Sequence, residues 1–136
     1  MKILLVTRLF PLPENVARGT FVSDHVELLS SLGHEVRVLN ILPRMLRINE
    51  ARRSTMEGVA KAPRSFQHGE FNVDVKRHFE FPDFPSITAF SASRCKTKWV
   101  PDLVICHTLW PAAYAAKTIA KKHSVPWVAV VHGHDF

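Results

Sequence analysis

Two histidines and an aspartate follow an apolar run at the end of the chain, in the sequence VVHGHDF from Val130 to Phe136. In an extended segment His132 and His134 point to the same side. They could therefore bind zinc, with His107 as a third ligand, as in a metal-dependent hydrolase. Alternatively, His132 could hydrogen-bond a sugar ring or a pyrophosphate while Asp135 accepts hydrogen bonds from hydroxyl groups. Structural roles also fit, in which His132 ends a strand and Asp135 begins a helix.

A second candidate residue is Gly19, which stands directly before a predicted helix. Backbone N–H groups in the first helical turn lack partners within the helix and attract anions, and glycine lets a ligand approach the backbone closely. Gly19 could therefore contact a phosphate or an acceptor, or it could only permit a turn. The motifs G-x-G-x-x-G and G-x-x-x-x-G-K-[ST] are absent, which argues against a standard dinucleotide or P-loop site. The remaining histidines are expected to have no chemical role, namely His25, His34, His68, His78 and His123.

The apolar pattern predicts alternating strands and helices, as in a doubly wound, Rossmann-like α/β/α domain with a mainly parallel sheet. The predicted strands are Lys2–Val6, Glu35–Leu42, Phe71–Phe81, Asp102–His107 and Trp127–Val131. The predicted helices are Thr20–Gly33, Ser86–Lys96 and Pro111–His123. The first βαβ unit is expected to cross over right-handed, and the doubly wound pattern predicts the strand order 3-2-1-4-5.

The middle of the chain has a weaker pattern. Arg44 to Arg64 carries six cationic side chains against two carboxylates, and we interpret it as an exposed excursion that could hold a short helix. Phe71–Phe81 alternates apolar and polar residues for most of its length, which indicates a half-exposed edge strand.

Ligands of doubly wound sheets bind beyond the carboxyl ends of the strands, near the point where connections pass to opposite faces. Three chain segments are predicted to meet there. They are the loop from Arg8 to Gly19, His107–Thr108 and His132–Asp135. Together they would form half of a pocket at one rim of the sheet.

Length and composition favour one domain over residues 1–136, with 46% hydrophobic and 22% charged residues. The net charge of +6 favours contact with phosphates, but no nucleic-acid-binding motif is present, so no nucleic acid partner is expected. There are only two cysteines, Cys95 and Cys106, which is typical of a reducing compartment. With no signal-peptide core and no membrane-spanning run, we expect a cytoplasmic protein.

Several motifs occur in a specific order: an opening strand, the glycine before the first helix, GHEV, a strand beginning with PD, an H-T-L tip and an HG-x-D tip. The segments are MKILLVTRLFPLPENVARGTFVSDHVELLSSLGHEVRVL, PDLVICHTLWPAAYAAKTIAKKHSVPWVAVVHG and HGHD. In this order they resemble the N-terminal domain of retaining, nucleotide-sugar-dependent glycosyltransferases of the GT-B fold, the group 1 or family 4 class.

The resemblance implies an enzyme of two Rossmann-like domains, of which the N-terminal one holds the acceptor and the C-terminal one holds the sugar nucleotide. It implies that His132 is the catalytic histidine near the transferred sugar. Gly19, His107, Gly133 and Asp135 match substrate-binding positions. No metal or cofactor is implied for this chain, since the nucleotide sugar is a co-substrate of the full enzyme.

The sequence departs from the family pattern at three places. Arg18-Gly19 stands where many members have Gly-Gly, and His134 replaces a small or amide residue within HG-x-D. The chain also ends before the last strands of the domain, and the donor domain is absent. We therefore expect an incomplete acceptor-side domain that is inactive alone, or else a non-catalytic subunit of a split glycosyltransferase or another Rossmann-like binding module.

The expected pathway is bacterial-type surface polysaccharide or glycolipid assembly, with a sugar or lipid-linked acceptor. The nucleotide sugar would reach the site through the missing C-terminal domain. The basic excursion from Arg44 to Arg64 could rest peripherally on anionic lipids at the inner face of the membrane, or its charges could only solvate the surface. The apolar strand Trp127–Val131 would be an exposed sheet edge that favours self-association.

Overall fold

The computed structural model of the protein describes residues 1–44, 58–81 and 83–132. Strands and helices alternate along most of the chain. In chain order they are β1 (Lys2–Thr7), α1 (Thr20–Ser31), β2 (Glu35–Pro43), β3 (Ser65–His68), β4 (Phe71–His78), α2 (Pro85–Ser93), β5 (Leu103–His107), α3 (Leu109–His123) and β6 (Trp127–Val130).

The strands form one sheet in the order β3-β4-β2-β1-β5-β6. Every neighbouring pair is parallel except β3 and β4, which are antiparallel. Without β3 the order is the expected 3-2-1-4-5. The mainly parallel α/β fold predicted from the sequence is therefore confirmed.

The helices cover both faces of the sheet. Leu5 of β1 belongs to the same apolar cluster as Val22 of α1, whereas the next residue, Val6, clusters with Ala116 of α3 and Ala92 of α2. Successive residues of a strand point to opposite faces, so α1 lies on one face and α2 and α3 lie on the other. This is the three-layer arrangement expected from the sequence.

The prediction that Phe71–Phe81 is an edge strand was wrong, because β3 pairs outside β4 through a hairpin at Gly69, where φ is +58°. Apolar and polar residues alternate along β4 because its two faces have different surroundings. Val73 and Val75 are buried on one face, whereas Asp74 and Lys76 line an open groove on the other. An interior strand with one uncovered face therefore shows the pattern of an edge strand.

Part of the basic excursion, including Arg47, Arg52 and Arg53, falls outside the described residues, and so does the short helix suggested there. Within the described ranges, none of the helices has the length and apolar content needed to cross a membrane.

Candidate functional site

Three histidines form a hydrogen-bonded chain at one rim of the sheet. His107 is the last residue of β5, and its Nε2 atom lies 2.6 Å from Nδ1 of His25. Its other ring nitrogen, Nδ1, lies 2.9 Å from Nε2 of His132. The ring of His107 is stacked on that of His132 at a centroid distance of 5.2 Å, and it meets the ring of His25 edge-on at 4.9 Å. His107 is therefore the central member of the chain.

The positions of these side chains follow from the alternation of β5 and the periodicity of α1. Ile105 of β5 is buried in the apolar cluster beneath α1, and His107, two residues later, points to the same face. Val22 and Val26 of α1 enter that cluster, so the neighbouring residue His25 lies at the margin of the buried stripe. His25 therefore reaches the ring of His107 at the end of the strand.

Gly19 begins α1 close to the same rim. It adopts a left-handed conformation with φ 62° and ψ 33°. A Cβ atom at this position would lie 2.7 Å from the carbonyl carbon of Leu9, two residues beyond the end of β1. Phe21, in the first turn of α1, meets His132 with a ring-centroid distance of 4.8 Å. The structure thus brings Gly19, His107 and His132 to one end of the sheet.

The close approach of Gly19 to the backbone supplies a steric reason for glycine. Its predicted role in substrate binding stays a prediction. The predicted site residues Gly133 and Asp135 lie outside the described residues, and so does His134.

Buried polar groups fix the neighbouring strand ends. The backbone N–H of Arg8 donates to Oγ1 of Thr108 at 3.1 Å, which joins the end of β1 to the residue after β5. The side chain of Asn40, with its amide oriented so that the nitrogen donates, reaches the carbonyls of Thr7 and Arg8, each at 3.2 Å. Arg8 also forms an ion pair with Glu80 at 3.1 Å. These contacts hold the rim in one arrangement before any ligand binds.

Burial determines the charge state of the histidine chain. Burial, and to a smaller extent the charges of His25 and His132, lowers the pKa of His107 to about 4. Burial also lowers the pKa of His25 from its usual value. His107 is therefore neutral at pH 7, with one N–H donor and one acceptor nitrogen.

The geometry is that of a hydrogen-bonded chain and not of a metal centre. The two nitrogens of His107 face two different histidines, whereas ligands of a metal ion must converge on one point. Throughout the described part of the chain, no group of three or more His, Cys, Asp or Glu side chains is placed to hold a metal ion. The suggested zinc pair of His132 and His134 cannot be placed, because His134 lies outside that part.

His25 is the site residue that the sequence reasoning missed. We expected it to have no chemical role, but it touches the central histidine directly. A signal was present in the helical pattern, since His25 lies three residues after Val22 and next to Val26, both of which are fully buried. A polar side chain at the margin of a buried stripe, on a helix that starts at a predicted site, was a reason to include it.

An open, mainly parallel sheet with helices on both faces defines a Rossmann-like α/β domain. Residues 19–136 match the family model described as a glycosyl transferase 4-like domain. The chain therefore belongs to the glycosyl transferase 4-like family, as the resemblance had indicated. Comparisons with curated proteins and with solved structures found no match.

Proposed function

We propose that this chain is the acceptor-side domain of a retaining, nucleotide-sugar-dependent glycosyltransferase that acts in surface polysaccharide or glycolipid assembly. Family membership supports the transferase class. The observation that carries the assignment of the site is the contact between His107 and His132 at the carboxyl rim. In this proposal His132 is catalytic, while Gly19, His107, Gly133 and Asp135 bind substrate.

The hydrogen-bond pattern suggests how His132 would meet a sugar. Its Nε2 atom faces His107. In this proposal Nδ1 binds a hydroxyl group of the transferred sugar. A strand end and a neighbouring aromatic ring, Phe21, hold the imidazole in place. Preorganised groups of this kind contribute more to catalysis than flexible ones, because they need no reorganisation during the reaction.

We propose further that these 136 residues do not transfer sugar alone. Transfer from a nucleotide sugar requires stabilisation of the leaving diphosphate as its charge develops. Two arginines in the loop between β1 and α1 are poorly suited to this task. Arg8 is paired with Glu80, and Arg18 is buried and donates to the carbonyl of Phe10. A nucleotide-sugar domain outside this chain would supply the missing cations.

A lipid-linked acceptor is supported by an exposed aromatic patch, made of Phe79, Phe81, Phe84, Ile87 and Phe90. These side chains are between 43% and 64% exposed and follow the end of β4 into α2. Arginines border the patch, with Arg44 over the ring of Phe79 at 5.1 Å and Arg94 over Phe90 at 5.8 Å. Apolar rings beside arginines suit the interface of an anionic membrane. We therefore propose that this patch contacts the membrane peripherally. Of the described residues of the basic excursion from Arg44 to Arg64, only Arg44 borders the patch.

The function is tested with protein expressed from its complete reading frame. It is incubated with radiolabelled sugar nucleotides, one at a time, and a bacterial lipid extract, and label in the lipid fraction is measured. We expect transfer from at least one donor, and a loss of about 100-fold or more in His132→Ala. His34→Ala is the control, because His34 contacts the N-terminus at 3.1 Å, at the amino ends of β1 and β2 and so at the opposite end of these strands from the rim.

Transfer that is unchanged in His132→Ala contradicts the catalytic role of this histidine. Absence of transfer from every donor, even after addition of a separately encoded donor domain, favours a non-catalytic binding module instead. Robust transfer by the 136-residue chain alone contradicts the proposed dependence on a second domain.

Membrane contact is tested by sedimentation with vesicles of phosphatidylglycerol and phosphatidylcholine. The double variant Phe79→Ser, Phe90→Ser should lower the partition coefficient at least about tenfold, because two exposed rings are lost. Leu28→Ser is the matched control, since Leu28 is 57% exposed on α1, on the opposite face of the sheet. Equal binding of all three proteins contradicts the proposed contact.

A further inference from the structure

We propose that His25 is a positioning residue that decides, through His107, which ring nitrogen of His132 carries the proton. His25 contacts His107 at 2.6 Å, and His107 in turn contacts His132 at 2.9 Å. The inference rests on the proposed role of His132, and it adds a residue on α1 that need not touch the sugar.

The donors and acceptors of the three imidazoles are coupled. Neutral His107 has one N–H and one acceptor nitrogen, and each of its nitrogens faces another imidazole. If its Nε2–H donates to His25, its Nδ1 must accept from Nε2–H of His132. Neutral His132 then carries a lone pair on Nδ1 and can only accept a hydrogen bond there.

The opposite direction gives the opposite result. If Nδ1–H of His25 donates to His107, then Nδ1–H of His107 donates to Nε2 of His132. The proton of His132 is now on Nδ1, which becomes a donor. Conversion of the first arrangement into the second takes up one proton at Nδ1 of His132 and releases one at Nε2 of His25, with one proton crossing each hydrogen bond between them.

His25 is well placed to select one direction. It is carried by α1, which is anchored by the fully buried Val22 and Val26. His107 is itself buried, and both of its ring nitrogens are engaged within the chain of histidines. The direction of the chain is therefore set at its two ends, and His25 is the end that α1 positions.

A packing role for His25 is the competing explanation, and two substitutions separate it from positioning. His25→Phe keeps an aromatic ring of similar size and removes the hydrogen bond. His25→Gln loses the ring but keeps an amide that can donate or accept. A packing residue is replaced better by phenylalanine, and a positioning residue is replaced better by glutamine.

The test uses the purified chain labelled with ¹⁵N at histidine, at neutral pH and without sugar. Long-range ¹H–¹⁵N spectra report the tautomer of each imidazole. We expect one tautomer of His132 in the unmodified chain, and a shift of at least about threefold in its tautomer ratio in His25→Phe, because one hydrogen bond is lost. His25→Gln should restore a single tautomer.

A tautomer of His132 that is the same in all three proteins overturns the proposal. The unmodified chain gives a second reading that does not depend on folding of any variant. We expect ¹⁵N–¹⁵N coupling across both hydrogen bonds, from His25 to His107 and from His107 to His132. Absence of the coupling between His25 and His107 also overturns the proposal. Because no sugar is present, these results are independent of the transfer assay, so a failure of the proposed function is distinguished from a failure of this inference.

Discussion

His78 and His107 make an instructive pair. Each is the last residue of a parallel strand, β4 and β5 respectively, and each is buried at the same rim of the sheet, with β2 and β1 between them. Burial is the main cause that lowers the pKa of both to about 4. Their partners differ. Both nitrogens of His107 meet imidazoles. Neither ring nitrogen of His78 reaches a hydrogen-bond partner of good geometry, and its contact with the backbone of Leu42 only partly offsets the lowered pKa.

The difference shows that a lowered pKa marks burial and does not by itself mark a functional site. The charge that further lowers the pKa of His78 is that of Arg8, whereas for His107 it is that of other histidines. Only His107 can pass or orient a proton, because only its neighbours can donate and accept in either direction. The predictions below test this contrast.

The largest expected effect is on stability in acid. The pKa of each histidine is about 4 in the folded chain, below its usual value of 6.5. Each neutral histidine therefore makes its full contribution to the free energy of unfolding above pH 6.5. As the pH falls to about 4, the free energy of unfolding decreases by about 3 kcal/mol for each histidine. Urea denaturation at several pH values measures this loss, and His78→Leu should reduce it by about half. Equal stability at pH 7 and pH 4.5 contradicts the assignment.

The second prediction concerns Gly19, which fixes the start of α1. Its substitution should affect the surroundings of His107 but not those of His78. Gly19→Ala should cost about 3 kcal/mol, since φ is +62° and the new Cβ would meet the backbone of Leu9 at 2.7 Å. Gly33→Ala is the control, because φ is also positive there but no atom lies within 4 Å. Histidine resonances should change at His107 and not at His78. Equal costs at the two glycines exclude the proposed steric cause.

The third prediction compares removal of each imidazole. His107→Leu leaves two histidines without their partner and should destabilise the fold by about 2 kcal/mol. His78→Leu removes a buried imidazole that has no hydrogen bond of good geometry, so at pH 7 it should be neutral or stabilising by up to about 1 kcal/mol. Thermal unfolding of both variants measures the difference, and a larger cost for His78→Leu contradicts the contrast.

The smallest effect concerns the strands beside the two histidines. The strand of His78, β4, is covered at its outer side by β3. The strand next to that of His107, β6, pairs within the described residues only with β5, and it exposes Trp127, Val128 and Ala129. We propose weak self-association through this edge. Sedimentation velocity at high concentration should show dimers that Val128→Lys removes. Identical sedimentation of both proteins, or a monomer at all concentrations, contradicts it.

Much of this contrast could be predicted from the sequence. Apolar runs such as Lys2–Val6 define buried strands, and the doubly wound pattern then gives the strand order and places His107 and His132 at one rim. The short strand β3 was missed because Ser65–His68 has one large apolar residue, Phe66, and depends on pairing with β4.

The contact of His25 with His107 could not be derived in the same way. Helical periodicity identifies the buried face of α1, but it does not state which residue of another element lies opposite. That depends on how far α1 is displaced along the sheet, which is set by the loop ending at Gly19 and by its contact with Leu9. Non-local packing of this kind leaves little trace in a local pattern.

The most direct test of the central claim, that a sugar binds at the histidine chain, is a titration of the ¹⁵N-histidine-labelled chain with methyl α-glycosides of glucose, galactose and mannose. We expect at least one glycoside to shift the resonances of His132 and His107, while those of His78 and His34 stay unchanged. If no glycoside moves His132 or His107, or if His78 and His34 respond instead, the carbohydrate site is not at this rim.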